Sequence, residues 1–284
     1  MTAAGFSNRI GLSRRRRRFS ASFTAGVLIA GTFLFLALFG RFFISNPNTL
    51  HLESALQSPS LAHPFGTDNY GRDVLDRVIA ATPIDLLIGF GCVIPALIIG
   101  TSLGLISGYF GGFVDSFLMR VVDVLVAFPF FVLVIAIIAA LGAGIKNMFI
   151  AVAVVGWVSY ARLARSEVQV IRQHDYVSAT RVLGFSRRRI LRRHVLPNAI
   201  VQPVVYSTND FAAYIVLGSA LGYLGLGVQP PTAEWGTMVA DGQNYITQAP
   251  WMTIFPGLAI VVIGIGMILL GDGLADLLRR EMKS

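Results

Sequence analysis

Long apolar runs alternate with polar segments along the whole chain. There are six such runs, at 23–39, 84–107, 113–140, 148–160, 200–221 and 253–270. Apolar segments on this scale are typical of helices that cross a bilayer, which takes about 20 residues. The pattern predicts an all-α polytopic membrane protein with about six transmembrane helices, and an even number puts both termini on the same side.

The composition also indicates a membrane protein. The 284 residues are 55% hydrophobic and only 13% charged, whereas a soluble chain of this length would need more charge on its surface. The net charge of +8 could indicate nucleic acid as a partner. The positive charges lie at the edges of the apolar runs, however, so we attribute them to orientation in the membrane and expect no nucleic acid.

The distribution of charge divides the chain into segments. Residues 1–22 carry the run Arg14 to Arg18 and are expected to form a basic cytoplasmic tail before a first transmembrane helix at 23–43. A targeting or RNA-binding run and the apolar part of a signal peptide are the alternatives there; the long apolar stretch and Arg41 after it favour an uncleaved helix. Residues 44–82 lack a positive excess and are expected outside the cytoplasm, before a transmembrane core at 83–284.

The most distinctive polar segment runs from Trp157 to Asn198. It holds nine of the 23 lysines and arginines, which predicts a cytoplasmic location. Gly184 is expected to end a first short helix, and Ser186 to cap a second one that Pro197 limits. On charge alone, the segment could also be a solvated loop against lipid headgroups. The first helix would present a face spaced i, i+3, i+4 and i+7, made of Tyr176, Ala179, Thr180 and Leu183.

This segment resembles the EAA loop of ABC importer permeases, which docks on the ATP-hydrolysing subunit. The matching residues are Tyr176, Val177, Ala179, Gly184, Leu196, Pro197 and Asn198. The glutamate that gives the loop its name falls at Ser178, and Thr180 replaces its second alanine. The resemblance implies an ATPase-coupling loop at 161–198. Its coupling residues would be Tyr176, Ala179, Leu183, Gly184, Arg187, Arg188, Leu196 and Pro197.

Two outer segments resemble one branch of the same family. The run HPFGTDNYGRD, from His63 to Asp73, is similar to a signature of the dipeptide/oligopeptide permeases, and the runs at 221–227 and 230–236 resemble two further elements. The histidine and aspartates of the first run could hold a metal, but their spacing favours a hydrogen-bonded fold-back with tight bends at Gly66 and Gly71. We expect these segments, with an extracytoplasmic loop at 226–251, to face a binding protein through Gly66, Asp68, Arg72, Asp73, Trp235 and Gly236.

Several features of the apolar runs point to helix contacts or a pathway. Gly100, Gly104 and Gly108 predict close packing of one helix against a neighbour, and Pro129 interrupts the third run. Asn209 and Asp210 place polar groups at membrane depth, where a carboxylate is costly and should face a cavity or partner. They are candidate pathway residues; the alternative is that this end of the helix is simply wet.

Sequence features of an enzyme are missing. No phosphate-binding G-x-x-x-x-G-K-[ST] occurs, nor any G-x-S-x-G, H-E-x-x-H or C-x-x-C, and Cys92 is the lone cysteine. We therefore expect no catalytic residues, no metal and no cofactor bound by this chain, with ATP and Mg²⁺ held by separate ATPase subunits.

The resemblance implies a type I ABC importer permease fold, most similar to the C-type (DppC/OppC-like) permeases of the dipeptide/oligopeptide/nickel group. It implies a heterodimer with a second, homologous permease, two ATPase subunits and an extracytoplasmic solute-binding protein, all serving the import of short peptides across the cell membrane. Nickel chelates, glutathione or other small solutes are alternative substrates. A different class remains open at this point: a self-sufficient secondary transporter or channel with intramembrane aspartates as relays, namely Asp85, Asp123, Asp210 or Asp272.

Overall fold

The computed structural model describes residues 21–281, and regular structure in that range is almost entirely helical. The arginine run at 14–18 and Lys283 lie outside the described residues. Within the range, one isolated antiparallel bridge joins Thr67 to Asp73. The helices are α1 (Ala21–Phe39), α2 (Val74–Phe110), α3 (Gly112–Val126), α4 (Phe130–Leu141), α5 (Ile145–Ile171), α6 (Asp175–Val182), α7 (Arg187–Ile190), α8 (Leu196–Ala199), α9 (Val201–Tyr223), α10 (Trp235–Gln243) and α11 (Trp251–Glu281).

The helix lengths confirm the predicted all-α, multi-span class. Among the described residues, four helices are long and apolar enough to cross a membrane, namely α1 with its short extension, α2, α5 and α11. The pair α3–α4 makes a fifth span if its two bent halves count as one. The fifth of the six predicted crossings, at 200–221, corresponds to α9, a 23-residue helix. It lies outside this set, so its crossing stays a prediction.

Helix α2 begins within the segment that is predicted to lie outside the cytoplasm. The polar outer segment was expected to reach residue 82, but α2 already begins at Val74. Asp73 causes this early start, because its side chain accepts a hydrogen bond from the backbone N–H of Asp76 at 3.0 Å and so caps the helix. Residues 74–82 thus belong to the helical bundle.

Helices α2 and α5 pack closely along Gly100, Gly104 and Gly108, the glycine stripe of α2. This contact between the two helices is the α2–α5 seam. At Gly100 and Gly104 a Cβ atom would overlap the carbonyl oxygens of Trp157 and Ala161, and at Gly108 it would come within 2.8 Å of the carbonyl oxygen of Arg165. Only glycine lets the two backbones approach so closely. The expected close helix contact is therefore confirmed, and α2 and α5 form the centre of the bundle.

Pro129 breaks the third apolar run into an elbow. The axes of α3 and α4 differ by 85° across it, because proline has no N–H to continue the helix. Two ion pairs hold α3 against α5: Arg165 with Asp115, at 2.7 Å between Nη2 and Oδ2, and Arg162 with Asp123, at 3.0 Å. The first arm is therefore held to α5 by ion pairs, while the second arm packs on α5 and buries Val134 and Ile138 in the core of the bundle.

The remaining helices complete the bundle around α2. Helix α1 packs mainly on α11, and α9 lies between α2 and α11. Helix α10 covers α2, α9 and α11 at the end of the bundle where α2 begins, and Trp235 in its first turn is fully buried. The short helices α6 to α8 lie at the opposite end, where α2 and α5 finish.

Candidate functional site

Helix α6 has one packed side and one bare side. Val177 and Thr180, one turn apart, are both buried. Val177 belongs to a small apolar cluster with Val168 of α5 and Ile190 of α7. The face predicted from the sequence is thus divided, because Thr180 packs inward. The exposed side carries apolar and aromatic residues on an otherwise charged surface; these are Tyr176, Ala179, Val182 and Leu183.

Gly184 ends α6 as predicted. Its φ of +76° lies in the left-handed region that favours glycine. The N–H of Phe185 donates to the Thr180 carbonyl at 3.1 Å, and the N–H of Gly184 donates to the Arg181 carbonyl at 3.0 Å, which is a Schellman ending. This ending leaves Val182 and Leu183 at the tip of the helix, 89% and 70% exposed.

The second part of the segment differs from the prediction. Ser186 precedes α7 as expected, although its side chain makes no capping hydrogen bond. Pro197 was expected to limit this part, and that is wrong: a π-helical turn at Leu191–Val195 leads into α8 and on to α9. Proline fits in the first turn of α8, where its missing N–H costs little, and the Asn198 amide donates to the His194 carbonyl at 2.8 Å.

Arginines line a cavity of about 800 Å³ at this end of the bundle. Ser178, at the position of the family's glutamate, lies on the same wall. Arg172 donates to the Gly108 carbonyl at 3.0 Å, whereas no ion pair of the described residues includes Arg181 or Arg187. The surface around α6 is therefore basic, with an apolar tip.

A second cavity, of about 650 Å³, lies between the α3–α4 elbow, α5 and α9. Its walls are largely apolar and include Phe130, Tyr206 and Tyr214, with Asp210 as the charged member. The hydroxyls of Tyr160 and Tyr214 lie beside the Asp210 carboxylate. Its Oδ2 atom is buried and has no hydrogen-bond partner among the described residues. A carboxylate thus faces this cavity at membrane depth.

Asn209 does not join Asp210. It lies in a separate groove of about 700 Å³ between α9 and α11, which it shares with Asp272. Consecutive residues on a helix point about 100° apart, so neighbours in sequence serve different surfaces. Of the two candidate pathway residues, only Asp210 therefore lies in the cavity beside the elbow.

The outer segment forms the predicted fold-back. The Asp68 side chain accepts from the N–H groups of Tyr70 and Arg72 at 2.8 and 2.9 Å, which is an Asx-type turn. Gly66 and Gly71 have φ values of +72° and +73°. His63 Nδ1 lies 2.8 Å from the carboxylate of Asp73. These contacts account for the histidine and aspartates by hydrogen bonding within the segment.

Most residues predicted to face a binding protein are buried. Gly66, Asp68, Arg72, Trp235 and Gly236 all lie inside, and Asp73 is half-buried. Arg72 pairs with Asp68 at 2.6 Å, and the indole of Trp235 donates to the Val78 carbonyl at 3.1 Å. The six residues support the outer surface from beneath, and their exposed neighbours form it.

The structure joins two carboxyl groups that sequence reasoning did not pair. Asp85 of α2 and Glu234 before α10 are both fully buried and interact with each other. Glu234 accepts from the N–H groups of Gly236 and Thr237 at 2.7 and 2.8 Å, and Asp85 accepts from that of Trp235 at 3.2 Å. Burial raises the pKa of Glu234, against the opposing effect of the two N–H groups. The pair links the outer loop to α2.

Comparisons with known proteins agree with the motifs. Residues 100–284 match the family described as the binding-protein-dependent transport system inner membrane component. The chain is 40% identical to a dipeptide transport system permease of Alkalihalophilus pseudofirmus, covering 91% of this chain and 86% of the relative. It is 39% identical to a probable D,D-dipeptide transport system permease of Escherichia coli, covering 90% and 86%. A glutathione transport system permease of Pectobacterium atrosepticum is 40% identical, covering 80% and 76%.

The fold has a counterpart among solved structures. A chain from the crystal structure of an amino acid ABC transporter with histidines matches with a TM-score of 0.53 and 18% identity, covering 73% of this chain and 94% of the other. None of these matches supports the alternative of a self-sufficient secondary transporter. The motifs, the helical bundle and these relatives together show that the chain belongs to the family of binding-protein-dependent transport system inner membrane components, as an ABC importer permease of the dipeptide/oligopeptide group in the cell membrane.

Proposed function

We propose that this chain and a second, homologous permease form the membrane passage of an importer for short peptides. A solute-binding protein would deliver the peptide from outside, and two ATPase subunits, which hold ATP and Mg²⁺, would drive the conformational change. The relatives named for dipeptides, D,D-dipeptides and glutathione support a peptide substrate. All three solutes are small molecules with amide bonds, which fits one passage for short peptides.

The bare tip of α6 carries this proposal. Val182 and Leu183 are apolar, exposed and surrounded by arginines. Exposed apolar side chains rimmed by polar ones are typical of a protein–protein contact. The unpaired Arg181 and Arg187 fit a partner with acidic residues at the rim. We therefore place the ATPase contact at Tyr176, Ala179, Val182, Leu183 and Gly184, with Arg187 and Arg188 at its edge, and Leu196 and Pro197 as support.

The opposite end of the molecule is proposed to receive the binding protein. Leu50, Leu52 and Leu61 of the outer segment are exposed, Leu61 completely. The segment is held in place beneath them: the indole of Trp251 donates to the Thr67 carbonyl at 3.0 Å, and Phe65 stacks on Phe255 with ring centroids 3.9 Å apart. An apolar surface held rigid in this way fits the transient binding of a partner protein.

A Leu183→Asp variant tests the docking proposal. The Leu183 side chain is 70% exposed, so the variant should fold and keep the second permease, while a charge at the tip should weaken the ATPase contact. Tagged wild type and variant would be purified from native membranes in mild detergent, and the co-purified subunits and ATP hydrolysis measured. We expect the ATPase recovered with the variant to fall by about tenfold or more.

Val170→Asp is the matched control. Val170 is 59% exposed in the last turn of α5, a different helix from the one that carries the proposed contact. It should keep both the ATPase and the second permease. The docking site would be contradicted if both variants lost the ATPase to the same extent, or if both retained it. A wild-type chain that purifies alone and moves solute without ATP would instead contradict the importer itself.

A further inference from the structure

We propose that Asp210 and the tyrosines around it form a binding site for a cationic amino group, specifically the ammonium at the amino terminus of a peptide in passage. This inference rests on the proposed function and deepens it. It assigns the chemistry of the cavity between the α3–α4 elbow, α5 and α9: one charge-specific contact within an otherwise apolar chamber.

The Asp210 carboxylate lacks a counter-charge. An unpaired carboxylate at the centre of a membrane helix costs about 2.5–3.5 kcal/mol on insertion scales, so one that persists should meet a partner. No lysine, arginine or histidine lines the cavity in the described part of the chain. The hydroxyls of Tyr160 and Tyr214 that lie beside the carboxylate carry no charge, and Oδ2 is buried without a hydrogen-bond partner among the described residues. The cation that completes this site therefore has to enter the cavity from outside the chain.

The walls around the carboxylate favour an ammonium over a metal ion. The aromatic rings of Tyr206, Tyr214 and Phe130 line the cavity. The rings of Tyr160 and Tyr206 meet edge to face, with their centroids 5.2 Å apart. The ring centroids of Phe130 and Tyr214 lie 6.2 Å apart. Aromatic faces attract alkylammonium groups, whereas hard metal ions need several oxygen ligands. Within the described residues, no group of three or more metal-ligating side chains occurs here or elsewhere.

The size and the remaining lining fit a short peptide. A volume of about 650 Å³ lies within the usual range of small-molecule sites, about 300–1,000 Å³. The rest of the wall is mainly apolar, including Pro129, Val155 and Leu217. Such a wall holds varied side chains without requiring any one of them. The Asp210 carboxylate would thus select peptides with a free amino terminus. The apolar wall would accept many different side chains in the rest of the peptide.

Replacement of the carboxylate tests the site in the complete importer. The chain, the second permease, the ATPases and the binding protein would be reconstituted in liposomes, and uptake of Ala-Ala measured together with ATP hydrolysis. We expect Asp210→Asn to lower the uptake of Ala-Ala by at least about tenfold, as loss of a charge-assisted contact predicts, while stimulation of ATP hydrolysis by the loaded binding protein stays within twofold. Asp210→Glu keeps the charge and should retain most of the uptake.

Asp272→Asn is the matched control, since it removes one carboxylate from the separate groove between α9 and α11. N-acetyl-Ala-Ala, which lacks the ammonium, is the second probe; its binding to the binding protein is measured first, and uptake is compared per loaded binding protein. Wild type should prefer Ala-Ala, and Asp210→Asn should abolish that preference.

Four results would overturn the site: unchanged uptake by Asp210→Asn, equal loss in Asp272→Asn, no preference in wild type, or loss of assembly in Asp210→Asn and Asp210→Glu alike. A wild-type assembly that takes up neither peptide would contradict the proposed function rather than the site.

Discussion

At the scale of single residues, the carboxyl groups of Glu234 and Asp85 both lie at the buried N-terminus of α10. Burial disfavours the ionised form, so the pKa of Glu234 lies above its ordinary value. Above the ordinary carboxyl pKa, Glu234 therefore binds more protons on average in the folded protein than in the unfolded chain. The free energy of unfolding should accordingly fall as the pH rises above the ordinary carboxyl range.

The pH dependence can be tested with Glu234→Gln. The amide does not titrate, yet its oxygen can still accept from the N–H groups at the start of α10. We expect wild type in detergent to melt at a lower temperature at pH 8 than at pH 5.5, and Glu234→Gln to show a smaller difference. Glu53→Gln removes a largely exposed carboxylate and should keep the wild-type slope. An unchanged slope in Glu234→Gln would show that another group is responsible.

The contrast between residues that sequence reasoning identified and those it missed has a physical basis. Gly184 and Pro129 act through the local backbone, which depends on nearby residues, so both were predicted from the sequence. The glycines at 100, 104 and 108 act through contact with α5, and their regular spacing in the sequence predicted that contact. Asp85 and Glu234 lie far apart in the chain, and only the packing of α10 against α2 joins them. Asp210 was noticed as a polar group in an apolar run, but its separation from Asn209 required the helix to be placed among its neighbours.

At the scale of elements, the α2–α5 seam depends on the absence of side chains. In Gly104→Leu the new side chain would meet the Ala161 carbonyl and the Ala164 side chain. Overpacking typically costs about 1–3 kcal/mol, and here backbone atoms, which cannot move aside, are the obstacle. We expect the variant to lose most of its monodisperse peak in size-exclusion chromatography of detergent extracts.

Gly31→Leu provides the comparison for the seam. Gly31 lies on the outer side of α1, where a Cβ would meet nothing within 4 Å. The added side chain is the same and the helical conformation is similar, so this variant should keep the wild-type yield and profile. Loss of both variants to the same extent would mean that the added apolar side chain itself, and not the seam, explains the effect, since leucine favours a helix over glycine.

Element boundaries show where sequence patterns are weakest. Pro197 was expected to limit the second short helix, because proline usually interrupts an α-helix. The π-helical turn before it changes the hydrogen-bond register, so the chain continues into α9. Ends of helices depend on such local rearrangements, whereas the existence of long apolar helices follows directly from composition.

At the scale of the whole molecule, the helix order predicts that α6 and the outer segment lie on opposite sides of the membrane. The single cysteine, Cys92, is buried, which makes a labelling test simple. In a Cys92→Ser background, Leu61→Cys should react with a membrane-impermeant maleimide on intact cells, or on spheroplasts if an outer membrane is present. Val182→Cys should react only after the membrane is opened. Labelling of both positions from the same side would contradict the three crossings predicted between them, namely α2, the α3–α4 pair and α5.

The continuity of α5 has a mechanical consequence. This helix has 27 residues without a proline, which at 1.5 Å per residue is a rod of about 40 Å. It begins after the short turn that follows α4 and ends shortly before α6, whose tip is the proposed ATPase contact. It packs on α2 along much of its length. A tilt of about 5° about its midpoint would displace each end by about 2 Å in opposite directions. A small displacement at the C-terminal end of α5 would thus produce an equal and opposite displacement at its N-terminal end, on the other side of the bundle.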